Sequence, residues 1–469
     1  MGMRQAQITR ALGVAALVSF AGAVAACAPS VQLAVAPDIH SATWAIHASG
    51  AAFPAQADIP GAALDWAAFG SPRLDDLLDQ ARAANTDIAI ANARIAQAAA
   101  DLRIARAANG PALEAFGRAE SNARGGAGDN AFRDTYIAGD LDLTYTLDLS
   151  GRLKAGKKSA FARYRAAGYE AQAMRLNIEA AVASAYVDYA ALCDRIAIAE
   201  QTLANAREFE RTLGLRAKEG IISEVDAGLQ AAEANSLAVE LSRLQEAQIR
   251  TLNALAVLVG EEAPLFSLQP ASLAEFTTPQ FMPLQPAMLV TRRPDMLAAA
   301  AIIEATEGDV QSARAAFIPD IEISAGAFVD SAANGGIFSP GFALASRVLA
   351  TIFDSGRLKG QVYRATAEQK EAVDQYRKTL LGALASAQNA LAGTTATAER
   401  AALLERSQQI TARTADLARR RFAEGSDDFG TVLIADRRRL EVKDSYVLSH
   451  QDALNNAIAL YTALGGRPQ

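Results

Sequence analysis

Residues 313–359 read ARAAFIPDIEISAGAFVDSAANGGIFSPGFALASRVLATIFDSGRLK, and the chain carries this passage twice. Ala105-Arg106-Ala107-Ala108 followed by Pro111 matches Ala313-Arg314-Ala315-Ala316 followed by Pro319, an offset of 208. Ser150-Gly151-Arg152-Leu153-Lys154 matches Ser355-Gly356-Arg357-Leu358-Lys359, an offset of 205. Each copy opens as helix, breaks at a proline, runs as two alternating segments around a Gly-rich turn and resumes as helix.

The alternation is strict. Ile137, Leu141, Leu143, Tyr145 and Leu147 share one face, while Asp140, Asp142, Thr144 and Thr146 share the other. In the second copy Ile321, Ile323, Ala325, Ala327 and Val329 alternate with Asp320, Glu322, Ser324 and Asp330. Ala123 to Asp129 and Asn334-Gly335-Gly336 supply the turns. One apolar and one charged face over about ten residues suits a membrane β-strand with lipid outside and water inside. A soluble antiparallel sheet with one wet face has the same pattern. The N-terminus favours the membrane.

Arg4 and Arg10 form a basic region, Ala11 to Ala23 a short apolar one, and Val24-Ala25-Ala26-Cys27 follows. This is a secretory signal, residues 1–26. It resembles a bacterial lipobox, in which Cys27 is lipidated (palmitate) and becomes the new N-terminus. Ala28 in place of aspartate implies, by the same resemblance, export to the outer membrane. Several acyl chains hold a protein to a membrane where one does not.

The 469 residues are 51% hydrophobic and 6% aromatic, with a net charge of −7. Ala-rich, aromatic-poor sequence suits closely packed helices. The acidic balance speaks against nucleic acid as a partner. With Cys27 used, Cys193 alone remains and has no disulfide partner. His40, His47 and His450 are isolated, and no GxSxG or phosphate loop appears, so neither an enzyme nor a cofactor site is expected. No later apolar run reaches the length of a membrane helix.

From the N-terminus, residues 27–60 carry four prolines and read as an extended lipidated segment docked by Trp44 and Trp66. Ser71 to Ala108 reads as one helix, capped by Ser71. After each hairpin a helix of about 65 residues begins, Arg152 to Ala217 and Arg357 to Ala423, each roughly 100 Å long at 1.5 Å per residue. Glu219-Gly220 and Glu424-Gly425 mark their tips. Return helices run from Ser223 to Gly260 and from Asp428 to Gly465, the first with coiled-coil spacing of leucines. Residues 261–285 are a linker. Two full-length repeats result, 61–260 with strands near 112–148 and 286–469 with strands near 319–353.

Four strands per chain cannot close a barrel, and lipid tolerates no open sheet edge. Several chains must therefore pool strands, and physics alone allows 8, 12 or 16.

These pieces resemble a known family. Trp66, Phe69, Leu74 and Leu77 ahead of Ala84-Asn85-x-Asp87, then Arg293-Pro294-Asp295, Asp148 to Arg152, Phe353 to Arg357 and Leu464-Gly465-Gly466, together look like outer-membrane efflux factors of the TolC/OprM type. More narrowly the chain resembles the NodT-like lipoprotein branch serving resistance-nodulation-division pumps. The resemblance implies a mainly α fold with a membrane β-barrel portion. It implies a homotrimer whose 12-stranded barrel continues as a long coiled-coil α-barrel. It implies an exit duct for drugs or other small molecules, working with a periplasmic membrane-fusion adaptor, an inner-membrane pump and outer-membrane lipid. Type I protein secretion or metal-cation efflux are the alternative cargoes.

The family's periplasmic gate often reads Asp-Ala-Gln-Arg, where this chain has Ile434-Ala435-Asp436-Arg437. Asp427, Asp428, Asp436 and Arg437 are therefore the gate candidates, repeated three-fold, though Ser426 to Asp428 also fit plain helix capping and Arg437-Arg438-Arg439 a solvated face. Arg419-Arg420-Arg421 fit either an adaptor contact or a charged helix face.

Overall fold

The computed structural model describes residue 44 and residues 65–124, 132–279, 285–331 and 339–466. The signal segment, Cys27, nearly all of 27–60 and both Gly-rich hairpin turns lie outside the described residues.

Ser71 accepts from the Leu74 N–H at 3.3 Å and starts helix α1, Pro72–Ala84, whose Leu74, Leu77, Leu78 and Ala81 are buried. The single helix expected from 71 to 108 is two helices, and Asn85 is the reason. Its backbone is extended (φ −65°, ψ 128°) and its Oδ1 accepts from the N–H groups of Asp87 and Ile88, so it caps α2, Thr86–Ala107. Periodicity continues through Asn85 because the interruption lasts one residue.

The second repeat breaks at the equivalent place. Helix α5, Leu289–Arg292, stops at Arg293, which is extended (φ −72°, ψ 125°) because Pro294 follows it, and α6 runs Pro294–Ala315. Each break is tied to the end of its own repeat. Asn85 Nδ2 donates to the Leu258 carbonyl at 2.8 Å, and Arg293 Nη1 donates to the Ala463 carbonyl at 2.9 Å. Different side chains thus serve the last carbonyls of the two return helices, α4 (Glu224–Val259) and α8 (Phe429–Ala463), which have no helical partner.

The long helices are α3, Arg152–Lys218, and α7, Arg357–Ala423. An aspartate starts each. Asp148 accepts from the N–H groups of Leu153 and Lys154, at 3.1 and 2.8 Å. Asp354 accepts from Gly356 and Leu358, at 3.0 and 2.9 Å. A carboxylate suits the orphan donors and positive dipole end of a helix N-terminus. The second motif is one residue shorter between Asp and Gly, and Ser355 joins Gly356 in the left-handed region (φ 56° and 89°) to complete the turn.

Strands β1 (Ala112–Arg124), β2 (Phe132–Leu147), β3 (Asp320–Ser331) and β4 (Ser339–Leu349) form one antiparallel sheet in the order β1-β2-β3-β4. The second strand region ends at Leu349, four residues short of the expected limit. Register aligns the apolar faces. Leu113, Leu143, Ala325 and Leu344 stand in one cross-strand row, and Ala115, Leu141, Ala327 and Phe342 in the next. The charged face aligns too, with Thr146, Glu322 and Arg347 in a row. Phe342 and Leu344 are 89% and 81% exposed, so the chain's own packing leaves this apolar face uncovered.

The repeats are units of sequence rather than of packing. Two compact units form, and each draws on both repeats. One contains 93–168 and 298–377, hence the whole sheet. There Phe317, Leu358 and Val362 cluster, and Gly308 lets α6 approach α3, since a Cβ would sit 3.0 Å from the Ala155 carbonyl and the Ser159 backbone. Arg152 pairs with Asp320 at 2.8 Å, and Arg163 with Asp309. The other unit contains 169–297 and 378–466 with the N-terminal segment up to Asn92, which includes the start of α2. Its core joins Trp44, Trp66, Leu74, Tyr186, Leu255 and Leu454 with many alanines of α3 and α7. Fully burying each such leucine contributes about 2 kcal/mol. Glu179, 6% exposed, crosses this core and accepts from Trp66 Nε1, Arg82 and Arg175. Among the described residues no helix is long and apolar enough to cross a membrane.

Candidate functional site

The tips of the long helices are built from glycine and caps. Gly220 and Gly425 take left-handed φ values of 73° and 72° and end α3 and α7. Ser223 accepts from the Val225 N–H at 3.0 Å to start α4. Asp428 accepts from the Thr431 N–H at 2.8 Å and from its hydroxyl at 3.1 Å to start α8. Those two bonds hold the Asp428 carboxyl below its ordinary value. Asp428 thus caps α8, as its place in Ser426 to Asp428 allowed. Asp427 accepts from the Asp428 N–H at 3.0 Å.

Beneath these turns Phe209, Phe422 and Phe429 meet with ring centroids 5.6–6.1 Å apart, beside buried Leu213 and Val432. This apolar plug ties α3, α7 and α8 together. A cavity of about 400 Å³ lies next to it, lined by the charged groups below.

Asp436 and Arg437 do not pair with each other. Arg437 reaches α4 and donates to Glu233, its Nε at 2.9 Å from Oε2. Glu233 is 9% exposed, and its carboxylate raises the Arg437 pKa. Asp436 takes both Nε and Nη2 of Arg419 on one oxygen, at 3.1 and 3.0 Å. Its other oxygen, Oδ1, is buried without a hydrogen bond, 3.7 Å from the equally unsatisfied Nε of Arg439. Ile434, at the position where the family places aspartate, is 72% exposed. Arg437 stays largely exposed while its head group pairs with Glu233, Arg439 is half-buried beside Asp436, and Arg419, of the charged face Arg419 to Arg421, is turned toward Asp436. Glu233 escaped the sequence reading altogether. Its signal is faint, a lone acid among alanines in Ala231-Ala232-Glu233-Ala234.

No group of three or more His, Cys, Asp or Glu residues among those described could hold a metal ion. Cys193 is buried, with Gln248 donating to its sulfur at 3.2 Å.

The second functional element is the sheet, with one uncovered apolar face, one charged face, and β1 and β4 each paired on one side only among the described residues. A sequence model of the outer membrane efflux protein family matches residues 77–261 and 286–466. The chain belongs to that family. It is an outer-membrane channel protein of efflux, and its family is one of ducts rather than enzymes.

Relatives agree across nearly the whole length. The chain is 30% identical over 413 residues to the pyoverdine export outer membrane protein OpmQ of Pseudomonas aeruginosa, covering 86% of each. It is 29% identical over 475 residues to the outer membrane protein OprJ of the same species, covering 97% of this chain and 96% of OprJ. Among solved structures it is similar to a membrane protein from Pseudomonas aeruginosa, with a TM-score of 0.82, 26% identity, and coverage of 93% of this chain and 99% of that one. It is similar also to VceC from Vibrio cholerae, with a TM-score of 0.78, 26% identity, and coverage of 86% and 98%.

Proposed function

We propose that three copies of this efflux protein pool their strands into one 12-stranded barrel through the outer membrane. Small molecules delivered by an inner-membrane resistance-nodulation-division pump and a periplasmic adaptor would leave the cell through it. The observation that carries the reading is the sheet itself. Its apolar rows are uncovered, and its outer strands have pairing groups to spare. Leaving such edges in lipid costs several kcal/mol per unpaired group, so closure with further copies is the favourable outcome. No catalysis is assigned to the chain.

The cargo class follows the relatives: OpmQ is named for pyoverdine export, and small organic molecules would be the cargo. The anchor is proposed to be a lipidated Cys27, which would hold the N-terminus to the membrane. The gate is proposed at the helix tips, where Arg437 pairs with Glu233 and Asp436 with Arg419, and where Asp427 and Asp428 shape the turn that starts α8. In this reading the Glu233–Arg437 pair fastens α8 to α4, so that releasing it loosens the tip. Arg420 and Arg421, beyond the paired Arg419, are offered to the adaptor.

Detergent-extracted protein from outer-membrane fractions is expected to run as a heat-modifiable trimer and to conduct ions in planar lipid bilayers. A monomer that washes off membranes without detergent, or bilayers that stay silent, would overturn the reading.

A further inference from the structure

One row on the charged face of the sheet departs from the pattern around it. Phe116, Asp140, Phe328 and Gly341 stand opposite one another in register across the four strands. An aspartate therefore stands in register between two phenylalanines, with Cβ atoms about 5 Å apart between direct cross-strand neighbours. Phe116 is 53% exposed and Phe328 38% exposed, on a face otherwise occupied by residues such as Asp142, Thr144, Glu322 and Arg347. Phe328 is seated rather than loose. A Cβ added to Gly341 would lie 2.2–2.8 Å from three of its ring carbons, so the ring rests on bare backbone that any other residue would block.

The surrounding charge is negative. The adjacent row places Glu114 opposite Asp142. Arg118, opposite Ala138 on the other side, has Glu120 at 3.9 Å. Arg347 stands opposite Glu322, three rows from Phe328. An anion would meet repulsion at this row. An inorganic cation would use the carboxylates and leave the rings idle. A lipophilic organic cation uses both, through cation–π attraction and charge.

We propose that Phe116, Asp140 and Phe328 form a weak binding step for lipophilic organic cations in the lumen of the barrel. The proposal rests on the exit-duct reading, in which the apolar rows face lipid and this row faces water. Three copies of the chain present it three times around one passage. Shallow affinity suits a duct, where cargo must bind well enough to enter and weakly enough to leave.

The test uses full-length reconstituted protein in planar bilayers carrying potassium current, with tetraphenylphosphonium as the probe. The wild type is expected to be blocked in a dose-dependent way. Phe116→Leu, Phe328→Leu and Asp140→Asn are each expected to raise the half-blocking concentration about three- to fivefold. Phe328→Tyr, which keeps the aromatic face, and Phe342→Leu on the apolar face are expected to leave it unchanged. Asp140→Asn preserves shape, so it carries the test if a leucine variant fails to assemble into the heat-modifiable oligomer. Current that tetraphenylphosphonium does not block, or block that is equal in all variants, overturns the site while leaving the duct intact. Absence of any current overturns the duct reading instead.

Discussion

Arg437 on α8 donates to Glu233 on α4, a pair separated by 204 residues of sequence and closed by the packing of the two return helices. The pair is asymmetric: the Glu233 side chain is 11% exposed and that of Arg437 57%. Solvent therefore screens it, and we assign it about 1 kcal/mol per subunit rather than the value of a buried bridge. Glu233→Gln is expected to shift the open–closed balance of single channels toward open by about fivefold per subunit. Asp428→Asn, at a helix cap, is expected to leave that balance near the wild type. Equal effects of the two in single-channel recordings would remove Glu233 from the gate.

Acid should loosen the core around Glu179. Burial works to raise its pKa, but hydrogen bonds from Arg82, Trp66 and Arg175 outweigh burial and hold it below its ordinary value of 4.5. A carboxyl depressed in the folded state contributes stability above the unfolded value and loses it as pH falls through the folded one. Melting temperature is thus expected to be flat in this respect at neutral pH and to fall below about pH 4.5. Glu179→Gln should lower the melting temperature at pH 7 and flatten its acid limb. Trp66, bonded to Glu179 at 2.7 Å, reports the change by fluorescence.

Two glycines with the same backbone angle should respond differently to alanine. Gly220 has φ 73° and nothing within 4 Å of a built Cβ. Gly260 has φ 77°, and its Cβ would lie 2.4 Å from the Ala84 carbonyl oxygen. Gly220→Ala is expected to cost about 1 kcal/mol, the strain of a left-handed alanine. Gly260→Ala adds a collision with backbone and is expected to cost about 2 kcal/mol more. Thermal unfolding of the purified oligomer separates the two, and equal losses would contradict the close packing of α4 against α1.

Leu344 tests which side of the sheet meets lipid. It sits in the row Leu113, Leu143, Ala325, Leu344 and is 81% exposed in the single chain. Leu344→Arg is expected to cost about 2–4 kcal/mol at the bilayer midplane and to reduce the heat-modifiable form in outer-membrane fractions. Ala343→Arg, one residue away on the charged face, is expected to assemble. The reverse outcome would turn the sheet inside out.

Local chemistry was legible in the sequence wherever one residue type decides a backbone state. Alternation of Leu141, Leu143 and Tyr145 with Asp140, Asp142 and Thr144 announced β2 and its two faces, because successive strand side chains point oppositely. Gly220, Gly260, Gly425 and Gly465 marked helix ends that the structure confirms by their positive φ. Asn85 was not legible as a break. Its side chain does the work of a backbone acceptor for one residue, and the apolar period resumes at Ile88 as though nothing had intervened.

Tertiary structure alone decided the partners. Arg437 read along its own helix offers Asp436, one residue away, but neighbours in sequence point to different sides of a helix, so the charges turned apart to Arg419 and Glu233. The same holds for the Leu258 and Ala463 carbonyls, one claimed by an amide and the other by a guanidinium. Period, caps and turn residues act within a few bonds, and they settled the helices, the hairpins and the duplication. The Glu233–Arg437 pair and the cavity beside it arise where distant segments meet, and that meeting is set by how the two repeats pack into each other.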